Sequence, residues 1–464
     1  MTSTVSGGVE ALRTAMGGAV LDPSDPGYDA ARAVWNAAID RRPAVIARCS
    51  SAADVSTAIG YAQATGLEIA VRCGAHSMSG ASTVDGGLVV DLSGMRDVTV
   101  DPQARRARVA GGALLADVDA ATQAHGLAVP LGAIGHTGVG GLTLGGGMGW
   151  LTRQAGLSID NLVSAEVVVA DGRILRACAD ENAELFWAIR GGGGNFGVVT
   201  EFEFRLHEVG PMLEFGLLFW GVDQAAEALR VVREVLAELP RSMNGIVAGM
   251  SAPPEPFVPE QFHFRPGFAL MLAGFGDPAE HARVVARLRE AVPPLFEHVS
   301  PMPYVALQQM IDEANAWGRH NYEKSTNIEA LTDGVIEVLT EHVSLRSSPL
   351  SIFLLYRLDE AYADADADAT AFGGSRIPQF AMFTVGVSFS AEQLVAERNW
   401  VRGLWDAMQP HSLGVGSYVN GMTEQEEHRV LAAYGRTKYD RLARIKREYD
   451  PANVFHRNIN IRPA

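Results

Sequence analysis

The chain has 464 residues, 47% hydrophobic and 20% charged, with 54 acids against 38 bases and a formal net charge of −16. That balance fits an ordered globular protein of two or three domains. It disfavours nucleic acid or an anionic membrane surface as partner, since either needs a basic face. Only Cys49, Cys73 and Cys178 are present, with no C-x-x-C pair, which suits a reduced compartment rather than a disulfide framework. No apolar run is long enough to span a bilayer, and the first residues lack the pattern of a secretory signal, so the expected location is cytoplasmic.

In chain order, Ser51 is a candidate N-cap for a helix whose apolar face is Val55, Ile59 and Ala62, and Gly66 stands where a left-handed C-terminal cap belongs. Leu67 to Arg72 and Leu88 to Leu92 read as strands, as does Ala107 to Val109. Leu114 to His125 reads as a helix stopped by Gly126. Glu166 to Ala170 is a strand that turns through Asp171-Gly172 into a return strand, Arg173 to Arg176. A short helix, Glu184 to Ile189, leads through Gly191 to Gly194 into an alternating strand, Val198 to Arg205.

Around Gly210-Pro211 the texture changes. Longer strands (Phe215 to Trp220, Phe268 to Ala273, Ile352 to Leu358, Gln379 to Phe389) alternate with amphipathic helices such as Ala225 to Leu239 and His281 to Ala291. That pattern predicts a separate α+β domain on a mostly antiparallel sheet. Pro253, Pro254, Pro256 and Pro259 mark an extended loop inside it, and Asp364 to Asp368 a solvated acidic one. The tail from Tyr439 is a charged helix followed by Asp450-Pro451 and an ordered run that ends near Ile461.

Two segments carry the chemistry. Val71-Arg72-Cys73-Gly74-Ala75-His76-Ser77 is an apolar strand that breaks into small residues and presents one histidine at the turn. Gly138 to Trp150 is a glycine-dense loop with no lysine and no acid. A backbone this bare can approach a flat, charged ligand closely and offer it N–H donors. Gly192-Gly193-Gly194-Asn195-Phe196-Gly197 formally matches G-x-G-x-x-G, but a helix precedes it and a strand follows, the reverse of a Rossmann fingerprint, so that reading is rejected. No histidine or acid set has metal spacing, and no metal is expected.

These segments, in this order, resemble the vanillyl-alcohol oxidase superfamily with its PCMH-type FAD-binding domain. Within it they most resemble the berberine-bridge-enzyme-like oxidoreductases, where the histidine of R-x-G-x-H-S carries FAD covalently. The resemblance covers nearly the whole chain. It implies an α+β fold: a two-part FAD-binding domain, residues 1–210 (core about 36–210) and 418–464, with a substrate domain, 211–417, inserted between and built on a mostly antiparallel sheet.

The resemblance also implies site residues. His76 would hold the flavin, flanked by Arg72, Cys73, Gly74, Ala75, Ser77 and Gly80; Cys73 and Ala75 stand where the family usually has glycine. Many relatives attach the flavin again through the cysteine of G-x-C-P-T-V-G-x-G-G. The segment here is Gly132 to Gly141 with Ile134 at that position, which implies one attachment, as in bacterial members. Further implied FAD contacts are Thr137, Gly138, Gly141, Thr143, Gly145, Gly146, Gly149, Gly197 and Val198, with Asn458 and Asn460 of the F-x-x-N-x-N-I ending. Thr137 either tunes oxygen access at the flavin edge or caps the glycine loop. Ala155 replaces a frequent aromatic, which implies a roomier pocket if that position lines it.

Ser417-Tyr418-Val419-Asn420 resembles the family's Y-x-N, whose tyrosine faces the substrate, and makes Tyr418 the candidate catalytic residue. Gly421 stands where relatives often have a second aromatic. His136, Tyr356 and Arg357 are weaker candidates, by chemical type and neighbourhood only. The implied activity is oxidation of a small or medium organic substrate (alcohol, sugar, amine or aromatic natural product) by hydride transfer to FAD, with dioxygen as reoxidant and hydrogen peroxide as product. The alternatives are a dehydrogenase with another acceptor and a flavin-carrying binding protein with little turnover. Fold analogy does not name the substrate.

Overall fold

A computed structural model of the chain describes residues 6–414, 418–423 and 427–464. The first sheet has four strands, Val20–Leu21, Val45–Arg48, Leu88–Asp91 and Ile69–Arg72 in spatial order. Val45–Arg48 and Ile69–Arg72 both run parallel to Leu88–Asp91, whose four residues are all buried, as befits a strand covered on both faces. The crossover helix is Ala52–Thr65. Its start and stop are as the sequence predicts: Ser51 accepts from the Asp54 N–H, and Gly66 takes φ 72°. Val55, Ile59 and Ala62 are buried against the sheet together with Val198 and Phe455.

The second sheet is antiparallel, in the order Val98–Asp101, Arg106–Ala110, Val198–Arg205, Leu162–Val168, Ile174–Cys178. The strand expected from Glu166 begins earlier, at Leu162, and the helix after Leu114 spans Leu115–Gln123 with the Leu114 N–H donating to the Asp117 carboxylate at 2.8 Å. One expectation is corrected. The glycine-dense stretch is not a loop throughout, because Val139–Leu144 is helical with Gly138 at its N-cap, held by the burial of Val139, Thr143 and Leu144.

The third sheet has seven strands, all paired antiparallel: Phe296–Pro303, Met212–Gly221, Pro266–Gly274, Met243–Ser251, Ile352–Leu358, Gln379–Ser388 and His320–Ile328. Side-chain alternation splits it into two faces. Leu218, Val247, Leu355, Met382 and Tyr322 pack against the helices Ala225–Ala237, Asp333–His342 and Ala391–Met408. Leu217, Ile246, Ala248 and Met271 face the other way and meet Trp150 and Leu151 of the glycine-rich segment. Tyr356 and Phe383, on that second face, join a small cluster with Met148 and Tyr418. The chain was expected to leave this unit at residue 417; Ser417 lies outside the described residues, and Tyr418 is the first described residue of the return.

Candidate functional site

After strand Ile69–Arg72 the backbone turns sharply, and Ala75 sits at φ 55°, a left-handed conformation that favours glycine. The turn puts the His76 ring flat against Trp35, centroids 4.7 Å apart at 17°, with Trp317 edge-on at 6.4 Å. His76 Nε2 lies 2.6 Å from His136 Nδ1, and His136 Nε2 is 3.4 Å from the Asp312 carbonyl. A carbonyl only accepts, so His136 donates from Nε2 and accepts on Nδ1, and His76 carries its proton on Nε2. Burial, with a smaller effect from the neighbouring His136, pushes the His76 pKa down to about 3. His76 is therefore neutral at physiological pH, with its Nδ1 lone pair uncommitted among the described residues.

The glycines divide by what a side chain would meet. A Cβ on Gly74 would lie 2.2 Å from Gly138 N, and one on Gly138 would lie 2.4 Å from Cys73 Sγ, so the histidine turn and the start of helix Val139–Leu144 touch backbone to backbone. Gly149 is pressed against the Leu131 carbonyl, Gly197 (φ 152°) against the Val168 carbonyl, and Gly80 against Ile39. Gly145 and Gly146 leave room for Asn420 and Tyr418. At Gly141 a Cβ would meet nothing within 4 Å.

The remaining residues of the turn have mainly protein partners. Arg72 donates to the carbonyls of Ala31 and Ala33 and lies 3.8 Å from Asp91, tying its strand to the C-terminal end of the short helix Tyr28–Arg32. Burial raises the Cys73 thiol to about 11 and keeps it protonated. Ser77 accepts from the Ala81 N–H at 3.1 Å. Thr137 accepts from the Leu115 N–H on its carbonyl, at the junction between helix and turn.

The C-terminal tail is clamped by a buried ion pair that sequence reading missed. Lys446 Nζ donates to Asp450 (2.7 Å) and to the carbonyls of Asn195 (2.6 Å) and Phe455 (2.9 Å), with both charged side chains fully buried. Asn195 donates to the Ile459 carbonyl and accepts from the Ile461 N–H, and Asn458 donates to the Gly194 carbonyl. The predicted tail thus lies over the predicted Gly-Asn-Phe-Gly segment, next to Val198. The carbonyl oxygens of Asn458 and Asn460 and the hydroxyls of Ser82, Thr83 and Thr143 are buried without a hydrogen-bond partner. Each would cost about 1–3 kcal/mol if left so, a cost that a polar ligand lying there would offset.

Tyr418 is 8% exposed, and its hydroxyl oxygen accepts from the Gly147 N–H (2.8 Å) and from Asn420 Nδ2 (2.9 Å), while Asn420 also donates to the Leu142 carbonyl. Its ring is edge-on to Phe383 at 6.0 Å, and Phe383 is edge-on to Tyr356 at 5.6 Å. Burial outweighs the two donors and pushes the Tyr418 pKa up to about 12. Tyr356 is brought to this group. Arg357 is not: it lies over Phe380 on the helix-covered face and pairs with Asp359. Glu323 joins the group unforeseen. It lies on strand His320–Ile328, its carboxylate oxygen 2.7 Å from where a Cβ on Gly421 would be, and burial pushes its pKa up to about 8. Arg153, inside the family-like G-W-L-x-R run, has another role: it is 1% exposed, pairs with Asp359 and donates to the carbonyls of Leu239, Pro240 and Met243, bolting the glycine-rich segment to the seven-stranded sheet.

The model of an FAD binding domain matches residues 43–178, and the berberine and berberine-like model matches residues 417–462. (R)-6-hydroxynicotine oxidase of Paenarthrobacter nicotinovorans is 32% identical over 96% of this chain and 97% of its own length. The chain belongs to the berberine-bridge-enzyme-like FAD-linked oxidoreductases. A crystal structure of 6-hydroxy-D-nicotine oxidase from Arthrobacter nicotinovorans superposes with a TM-score of 0.85 at 29% identity, covering 97% of this chain and 98% of that one. Glucooligosaccharide oxidase of Acremonium strictum, described as carrying 6-S-cysteinyl, 8α-N1-histidyl FAD, shares the fold with a TM-score of 0.85 at 23% identity, covering 98% and 99%. As a member of this family the protein is an FAD-dependent oxidoreductase, with a PCMH-type FAD-binding domain and an inserted α+β substrate domain. The orphaned polar atoms and the bare backbone around His76 fit that cofactor. No helix among the described residues is long and apolar enough to cross a membrane.

Proposed function

We propose that the protein is an oxidase of a small or medium organic substrate, with FAD held through one bond to His76. The observation that carries this reading is the His76–His136 contact: it engages Nε2 of His76 and leaves Nδ1, on a neutral ring, as the nucleophile. Ile134 stands where a second attachment cysteine would be, and Cys73 Sγ is taken up against Gly138 and Gly140, which supports a single linkage. Bound FAD supplies a two-electron acceptor for substrate oxidation, with dioxygen as the final oxidant and hydrogen peroxide as product.

The protein side chains orient and exclude. With two N–H donors on its oxygen and a pKa near 12, Tyr418 stays protonated at neutral pH and has its O–H left to give. It is an orienting donor to the substrate heteroatom, with Asn420 fixing its direction. The aromatic walls of Phe372, Phe383 and Tyr356 keep water from the reacting carbon. Anaerobic mixing with a substrate library, then air, tests the reading. Flavin bleaching followed by recolouring and peroxide release is expected. Bleaching that air does not reverse would instead make the protein a dehydrogenase.

A further inference from the structure

We propose that Glu323 anchors a basic nitrogen of the substrate, so that small amines are the substrate class of this site. The proposal rests on the reading above, in which Tyr418 faces the substrate. Glu323 is 8% exposed and stands on the sheet face that carries Ser325, Phe383 and Tyr356. Its carboxylate lies so close to Gly421 that any side chain there would displace it. Gly421 stands where relatives often have an aromatic. In this chain the room is given to a carboxylate.

Among the described residues, no donor or cation meets that carboxyl. Lys324 points to the opposite face and lies over Trp405 at 4.4 Å, and Arg429 lies over the same ring at 5.9 Å. Burial raises the Glu323 pKa to about 8. An ionised carboxylate kept from water needs a partner, and here the surroundings are rings. Tyr418, Phe383 and Tyr356 form a chain of edge-on aromatics whose faces attract cations. Burial, with the charges of Glu323 and Tyr418, raises the Tyr356 phenol, so it stays neutral and adds no competing anion. The Thr423 hydroxyl donates to the Glu323 carbonyl at 2.9 Å and holds the strand against the returning segment. An ammonium would complete this arrangement; a neutral alcohol would leave the carboxylate bare.

The test uses the flavin-bearing full chain and matched probes: benzylamine against benzyl alcohol, and cyclohexylamine against cyclohexanol. Binding is read by thermal shift and by the visible spectrum of the flavin. The measurements are made at about pH 8.5, where Glu323 is ionised and amines are still largely protonated. The amines are expected to bind at least ~10-fold more tightly than the alcohols. Glu323→Gln should remove that preference while keeping fold and flavin, and Gly421→Ala, which displaces the carboxylate, should do the same. Equal binding of alcohols, no binding of either amine, or a preference that survives in Glu323→Gln would overturn the proposal. A wild-type chain that takes up no flavin would instead overturn the oxidase reading, so the two failures are distinct.

Discussion

His76 Nε2 sits 2.6 Å from His136 Nδ1, and under the proposed attachment this contact would make one histidine the reacting group and the other its proton partner. Attachment through Nδ1 would replace one C–H of the flavin methyl by an N–C bond, the two electrons passing through the flavin to dioxygen; it would leave positive charge on the His76 ring, and His136 is placed to accept the Nε2 proton. His136→Ala is therefore expected to slow covalent incorporation at least ~10-fold, a conservative figure for losing a positioned base. FAD should still bind, so total flavin per chain stays near wild type while the fraction surviving denaturation falls. Unchanged incorporation kinetics would reduce His136 to a wall of the turn.

Tyr418→Phe is expected to keep the covalent flavin and the melting temperature within a few degrees but lose at least ~10-fold in anaerobic flavin reduction. Because burial holds the Tyr418 pKa near 12, the reductive rate should show no inflection from the phenol between pH 6 and 10. A wild-type inflection near neutral pH that disappears in Tyr418→Phe would show the tyrosine working as a base instead.

The Lys446–Asp450 pair makes its own prediction. Lys446→Met leaves Asp450 buried and removes donors to the Asn195 and Phe455 carbonyls, which should cost about 3–5 kcal/mol. Asp450 also accepts from the N–H groups of Val454 and Phe455, so it is not idle in the variant. Denaturant titration measures the loss, and C-terminal proteolysis should become faster as the tail lifts from Gly194 and Asn195. A loss below about 1 kcal/mol would assign the tail's docking to apolar packing alone.

Asp119 gives a pH signature of stability. Burial pushes its pKa up to about 7, against Gln308 as hydrogen-bond donor and with the Asp312 charge adding to the rise. A carboxyl with a raised folded value favours folding while protonated, so its contribution is present at low pH and is lost as pH climbs from about 4 through 7. Asp119→Asn should accordingly gain on wild type across that window, by of order a few kcal/mol above pH 7. Parallel stability curves for the two proteins from pH 4 to 8 would rule this out.

Much of the fold was legible because its signals are local. Ser51 and Gly66 delimit their helix by capping chemistry that needs no tertiary partner, and the alternation of Val198–Arg205 marks a half-buried strand wherever it packs. The helix Val139–Leu144 was hidden because its glycines argue against it locally, and only burial of Val139 and Leu144 decides for it. Strands Phe296–Pro303 and His320–Ile328 carry prolines or a run of polar residues, and lack the apolar pattern that announces a strand. With His320–Ile328 unseen, Glu323 could not be placed beside Gly421. Chemical type and neighbourhood nominate His136 in the sequence, but not its contact with His76, which joins residues 60 apart. Arg153 follows the glycine-rich segment closely in sequence, and only the structure reveals it gripping Asp359.

The central claim is that His76 alone carries the flavin. Denaturing electrophoresis of wild type and His76→Ala, read under ultraviolet light after acid, tests it most directly. Wild type should show flavin fluorescence on the polypeptide band, and His76→Ala should show none while releasing its FAD to the supernatant. Fluorescence that stays with the His76→Ala band would contradict the account.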